Sequence, residues 1–143
     1  MLRQRHNTAA LLALAGLIGV LGCGRSGPKT YPVNGKVELS GADVSALAGS
    51  HVEGALESDM NVRTSGVIQA DGSFTLETPH EGRMRKGARE GTYKARIIPT
   101  EEDSKSHRRA AQAVARRFLQ FETSGLSFQV PPPGEVTLKV TPR

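Results

Sequence analysis

From Tyr31 to Val140 the chain returns repeatedly to short runs of alternating apolar and polar residues, a period that fits an extended strand with one buried face. In the clearest of them Tyr31, Val33, Gly35, Val37 and Leu39 alternate with Pro32, Asn34, Lys36, Glu38 and Ser40. Val52, Gly54 and Leu56 oppose Glu53, Ala55 and Glu57 in a second run, and Val62 to Gln69 and Ser73 to Glu77 give the next two. Asp71-Gly72 has the readiness for positive φ that tight turns need, so Val67 to Phe74 is predicted to form a β-hairpin. Tyr93, Ala95 and Ile97 alternate with Lys94 and Arg96; Leu126, Phe128 and Val130 with Ser127 and Gln129; Val136, Leu138 and Val140 with Thr137 and Lys139.

Two stretches depart from the pattern. Pro79 to Gly91 is rich in glycine and basic residues, Arg83, Arg85, Lys86 and Arg89, and is predicted to be a loop. Between Pro99 and Thr123 the period becomes helical: Ala111, Val114, Ala115, Phe118 and Phe121 share one face, while Arg108, Arg109, Gln112, Arg116 and Gln120 share another. Acidic residues before it and arginines towards its end suit the helix dipole, which predicts one amphipathic helix over about 104–121. Seven short strands without regular strand–helix alternation predict an all-β fold, a seven-stranded antiparallel Greek-key sandwich with this single helix inserted. Leu39, Val52, Ile68, Phe74, Leu76, Tyr93, Ile97, Phe128 and Leu138 are the expected core.

Residues 1–22 have a different character. Arg3 and Arg5 precede an apolar stretch, Ala9–Leu21, of 13 residues, well short of the roughly 20 that a membrane-spanning helix needs. That is the pattern of a cleavable signal peptide. Val20-Leu21-Gly22-Cys23 resembles the lipobox of bacterial lipoproteins, in which small or apolar residues precede a cysteine that receives a diacylglyceryl group. The common form has Leu and a small residue where this chain has Val20 and Leu21. Cys23 is the single cysteine of the 143-residue chain, so an intramolecular disulfide is excluded. Residues 23–30 then read as a polar tether and 31–143 as one domain. Each buried CH₂ of an acyl chain contributes about 0.8 kcal/mol, enough for two or three chains to hold a small domain on a bilayer.

Several phrases also resemble a protein family. Tyr31-Pro32-Val33-Asn34-Gly35-Lys36-Val37, Asp71-Gly72-Ser73-Phe74-Thr75-Leu76, Gly91-Thr92-Tyr93-Lys94-Ala95 and Thr123-Ser124-Gly125-Leu126 are similar, in order and spacing, to the small lipoproteins abundant in planctomycete-type bacteria. Those carry carboxypeptidase regulatory-like or transthyretin-like domains. The resemblance implies a prealbumin-like sandwich, exported or surface-anchored, with no established enzymatic activity. Because Gly24 rather than Asp follows the cysteine, the sorting rule of enteric bacteria implies an outer-membrane location, facing the periplasm or the cell surface.

Catalytic and metal-binding signals are sparse. His51, His80 and His107 show no local ligand spacing, and no metal or other cofactor is expected. Two tyrosines, Tyr31 and Tyr93, on core-directed strand faces do not suit the ferric site of intradiol dioxygenases. The ending Val140-Thr141-Pro142-Arg143 lacks the Tyr-Arg-Gly-Ser phrase of hydroxyisourate hydrolases. Ser65, Ser124 and Ser127 lack a nucleophile-elbow context. Asp71 reads as a turn residue, since a calcium loop needs repeated carboxylates.

The formal net charge is +5, and two of those charges, Arg3 and Arg5, precede the expected cut, leaving +3. That is too little to argue for a nucleic-acid partner. Locally, Arg83, Arg85, Lys86 and Arg89, together with Arg108, Arg109, Arg116 and Arg117, form two clusters suited to anionic lipid or polysaccharide. The plainer alternative makes the helical arginines a solvated face. The expected function is therefore a lipid-anchored, non-catalytic module of the cell envelope, structural, adhesive or accessory to other envelope proteins. The alternatives are an envelope hydrolase of a small molecule or glycan with a loop-built site, and a basic binder of anionic lipid or polysaccharide.

Overall fold

A computed structural model describes residues 27–143; Arg3, Arg5, the apolar stretch and Cys23 lie outside the described residues. The strands are β1 (Asn34–Leu39), β2 (His51–Leu56), β3 (Asp59–Val67), β4 (Ser73–Thr75), β5 (Glu77–His80), β6 (Arg83–Lys86), β7 (Gly91–Ile98), β8 (Leu126–Val130) and β9 (Val136–Val140). Two α-helices, α1 (Ser104–Ala113) and α2 (Phe121–Ser124), and two 3₁₀ turns, Val44–Leu47 and Arg116–Leu119, complete the order. No helix among the described residues is long and apolar enough to cross a membrane.

The strands form two sheets, one in the order β4-β1-β9 and one in the order β6-β5-β3-β2-β7-β8. The alternation read from the sequence sets which residues face inward: Val37 and Leu39 on β1, Leu126, Phe128 and Val130 on β8, and Val136, Leu138 and Val140 on β9 are all buried. Every expected core residue falls in the main buried cluster. Tyr93 and Phe128 are cross-strand partners whose rings stack at 5.1 Å and 3°, a pairing that adds to area burial alone.

Four expectations are corrected. First, the turn at Asp71-Gly72 forms, with Gly72 at φ 85° and the Gln69 amide donating to the Ser73 carbonyl at 2.8 Å. The strands it joins nevertheless diverge, β3 into the larger sheet and β4 into the smaller. At the crossing, Gly66 approaches the backbone so closely that an added Cβ would meet the Thr75 carbonyl oxygen. Leu76 is the corner: its amide donates to Val33, before β1, and its carbonyl accepts from Gly87, after β6.

Second, the basic loop is a hairpin, β5–β6, turning on Glu81 and Gly82. Both have positive φ, 48° and 72°, the geometry of a tight two-residue turn. The described strand count is therefore nine rather than seven. Third, the sandwich is not wholly antiparallel: β1 runs parallel to β9, from Gly35 opposite Val136 to Leu39 opposite Val140.

Fourth, the single helix is broken. α1 starts under the Asp103 cap and stops at Ala113, where Val114 turns extended (φ −116°, ψ 143°). The Ala115 amide, which a continuing helix would send back to Ala111, donates instead to Thr141 at 2.9 Å. β-branched Val114 suits that extended site. The break lets Val114 and Phe118 enter the core cluster, whereas a straight 18-residue helix would run about 27 Å past the sandwich end.

Candidate functional site

Strands β3 and β5 are paired only at Ser65 and Glu77, because β4 has left for the other sheet. Their splay opens a groove of about 690 Å³ whose lining includes His51, Ser65, Glu77, Met84, Asn34 and Thr75. Ser65 faces Glu77 in register, while His51 stands opposite Val67. A serine, a histidine and a carboxylate thus share one concavity. Among the described residues no hydrogen bond links them; the Thr75 hydroxyl donates instead to Asn34 Oδ1 at 2.9 Å. Such a groove can offer hydrogen bonds to a polar ligand, but it lacks the base-to-nucleophile contact of an assembled triad.

The three histidines are parted rather than gathered. His80 lines a cleft of about 140 Å³ with Pro28, Arg63 and Arg89, and His107 lines a recess of about 370 Å³ with Glu101, Asp103 and Arg108. Nδ1 of His107 donates to the Thr100 carbonyl at 3.0 Å. Among the described residues no group of three or more His, Cys, Asp or Glu side chains is placed to hold a metal ion. Buried Ser124 donates to the Ala95 carbonyl at 2.6 Å and accepts from the Leu126 amide. The fully buried Tyr93 hydroxyl donates to the Arg89 carbonyl at 3.0 Å, and desolvation pushes its pKa up.

The basic residues fall into two separate places. Arg83, Arg85 and Lys86 lie on β6, the outermost strand of the larger sheet, and Arg89 follows it. Thr78 pairs with Arg85 and His80 with Arg83, so by strand alternation Arg83 and Arg85 share a face with His80 while Met84 and Lys86 share the other. Arg108 and Arg109 ride on α1, and Arg116 and Arg117 on the 3₁₀ turn that packs against β7 and α2. Strands β5, β3 and β2 separate β6 from β7, a spacing of roughly 19 Å at about 4.8 Å per strand. The two clusters do not form one patch.

Sequence reasoning missed an ionic cluster on the outside of the larger sheet. Glu53 Oε2 accepts from Arg96 Nε at 2.6 Å, its Oε1 lies 3.9 Å from Arg63, and both guanidinium groups sit 4.7 Å from the centre of the Phe121 ring. The cluster seats α2. Glu53 and Arg96 stood out only as polar positions of alternating runs. Their meeting depends on β2 pairing with β7, across the four intervening strands.

Also missed was the seat of the tether. Arg85 Nη1 donates to the Pro28 carbonyl at 3.1 Å, and Tyr31 and Ala88 exchange reciprocal backbone hydrogen bonds of 2.8 and 2.9 Å. Gly87 makes this possible: at φ 85° it leaves the Tyr31 carbonyl in the space a Cβ would fill. Comparison of the chain with protein-family models, curated proteins and solved structures finds no match.

Proposed function

We propose that this chain is a lipid-anchored, non-catalytic β-sandwich module of the cell envelope, held on a membrane through lipid on Cys23. The observation that carries the reading is the order of segments: basic start, 13 apolar residues, one cysteine, then a short tether before Val33, the first buried position among the described residues. Cys23 precedes the domain in sequence and is the single cysteine of the chain, so the role we assign to it is the anchor. Within the same reading the domain is of the transthyretin-like, carboxypeptidase regulatory-like kind. Taking β4 and β5 as one strand bent at Leu76, and β6 as an added edge, leaves seven core strands out of the nine, which supports a prealbumin-like arrangement. An exported location, facing the periplasm or the cell surface, follows from the signal peptide.

Metabolic labelling with a fatty-acid analogue tests the anchor. The wild-type chain takes up label and the Cys23→Ala variant does not; equal labelling of both, or of neither, overturns the reading. The groove at His51, Ser65 and Glu77 favours a second reading, a hydrolase of a small molecule or glycan. The missing contacts between those three side chains weigh against it.

A further inference from the structure

Gly27 stands four residues after Cys23, and even a fully extended link of that length spans no more than about 14 Å. The direction in which it leaves the domain is set by the packing of the tether. Gly27 lies against the Arg85 guanidinium, which also holds the Pro28 carbonyl, and Tyr31 is locked to Ala88 just beyond β6. The link therefore departs beside the β5–β6 hairpin.

We propose that this hairpin is the face the domain turns to the bilayer, with Arg83 and Arg85 against anionic phospholipid headgroups. The inference rests on the anchor reading above. It takes one basic cluster and leaves the other. Arg83 and Arg85 share the tether side of the hairpin with His80, and Arg63 and Arg89 line the cleft next to Pro28. The nearby acids are Glu81 at the turn, 3.7 Å from His80, Glu53, 3.9 Å from Arg63, Glu90 beyond Arg89, and Glu77, whose side chain alternates to the opposite face. By contrast, Glu101 and Asp103 line one recess with Arg108 of α1, and the described tether residues are seated at the hairpin instead.

Attraction between basic residues and anionic lipid falls off over a Debye length of about 8–10 Å. It changes surface partition by about fivefold per charge. Fully extended, the link reaches beyond one Debye length but less than two, so all but its most extended arrangements bring Arg83 and Arg85 within range, and the domain lies on its hairpin instead of tumbling about the anchor.

The test uses the full, acylated chain reconstituted in phosphatidylcholine vesicles, with or without about one third phosphatidylglycerol. Acylation blocks Cys23, so Glu81→Cys at the hairpin tip or Gln112→Cys on α1 offers a single thiol for a fluorophore. Nitroxide on the lipid headgroups then reports proximity. On anionic vesicles the tip label is quenched several-fold more than the α1 label, and the difference shrinks on neutral vesicles, in high salt and with Arg83→Gln/Arg85→Gln. The salt arm needs no charge-removing variant, so it stands even if the double variant folds poorly. Flotation with the vesicles and equal quenching at both positions overturns the orientation alone. Failure to float, or a second reactive thiol at Cys23, overturns the anchor and the orientation with it. An unquenched tip on anionic vesicles that binds a soluble acidic polysaccharide puts that polymer in place of the bilayer and also overturns the proposal.

Discussion

Asp43, Asp71 and Asp103 each stand at the start of a turn or helix and each stops backbone amides from going unpaired. Asp43 accepts from the Ser45 hydroxyl and amide at 2.6 and 2.9 Å, and Asp71 does the same with Ser73 at 2.6 and 2.9 Å. Asp103 accepts from the Lys105 and Ser106 amides at 2.8 and 2.9 Å, an N-cap for α1. In all three, hydrogen bonding from the serine side chain is the leading cause that holds the carboxyl below its ordinary 3.8. A carboxyl depressed in the folded state contributes stability above its unfolded pKa and loses it as pH falls through the folded value. The contribution of these three carboxyls to the thermal midpoint is therefore complete above about pH 5 and is lost as acid takes the pH lower. An Asp43→Asn/Asp71→Asn/Asp103→Asn variant, which keeps the acceptors, shows a shallower acid slope. Nuclear magnetic resonance titration places all three carboxyl midpoints below that of an unfolded aspartate.

At the scale of elements, the segment from Val114 to Ser124 separates what the alternation told from what it did not. Ser124 is buried, and its hydroxyl both donates to Ala95 and receives the Leu126 amide. Ser124→Ala strands those two groups, and urea unfolding is expected to show a loss of about 1–3 kcal/mol. The positions of Val114, Phe118 and Phe121 as apolar anchors were legible, because burial leaves its mark on residue type. The break at Val114 was not, since it depends on Thr141 arriving to take the Ala115 amide. The same division runs through the sheets. β1, β7, β8 and β9 were readable from period two alone, whereas β6 was hidden by its basic residues and by a Glu81-Gly82 turn without the usual Asn or Asp. Of the candidate sites, the two basic clusters were visible as composition. The groove at His51, Ser65 and Glu77 and the Glu53–Arg96 pair were not, because both arise from which strands become neighbours.

For the whole molecule, closure falls to its first and last strands. β9 supplies Val136, Leu138 and Val140 to the core and pairs with β1 over five positions, whereas β4 pairs with β1 over three. Burying such side chains contributes about 1.5–3 kcal/mol each, against a total stability of about 5–15 kcal/mol. A chain ending at Gly134 is expected to lose its cooperative thermal transition, which circular dichroism against temperature measures; retention of the full transition would show that β9 is dispensable. The parallel sense of the β1–β9 pair has a mechanical consequence as well. A pull on the start of β1 and an opposing pull on the end of β9 slide the two strands lengthwise past each other. The hydrogen bonds from Gly35–Val136 to Leu39–Val140 then bear the load together instead of opening one after another like a zip. Tension between the two ends of the domain thus meets its resistance at the contact that closes the fold.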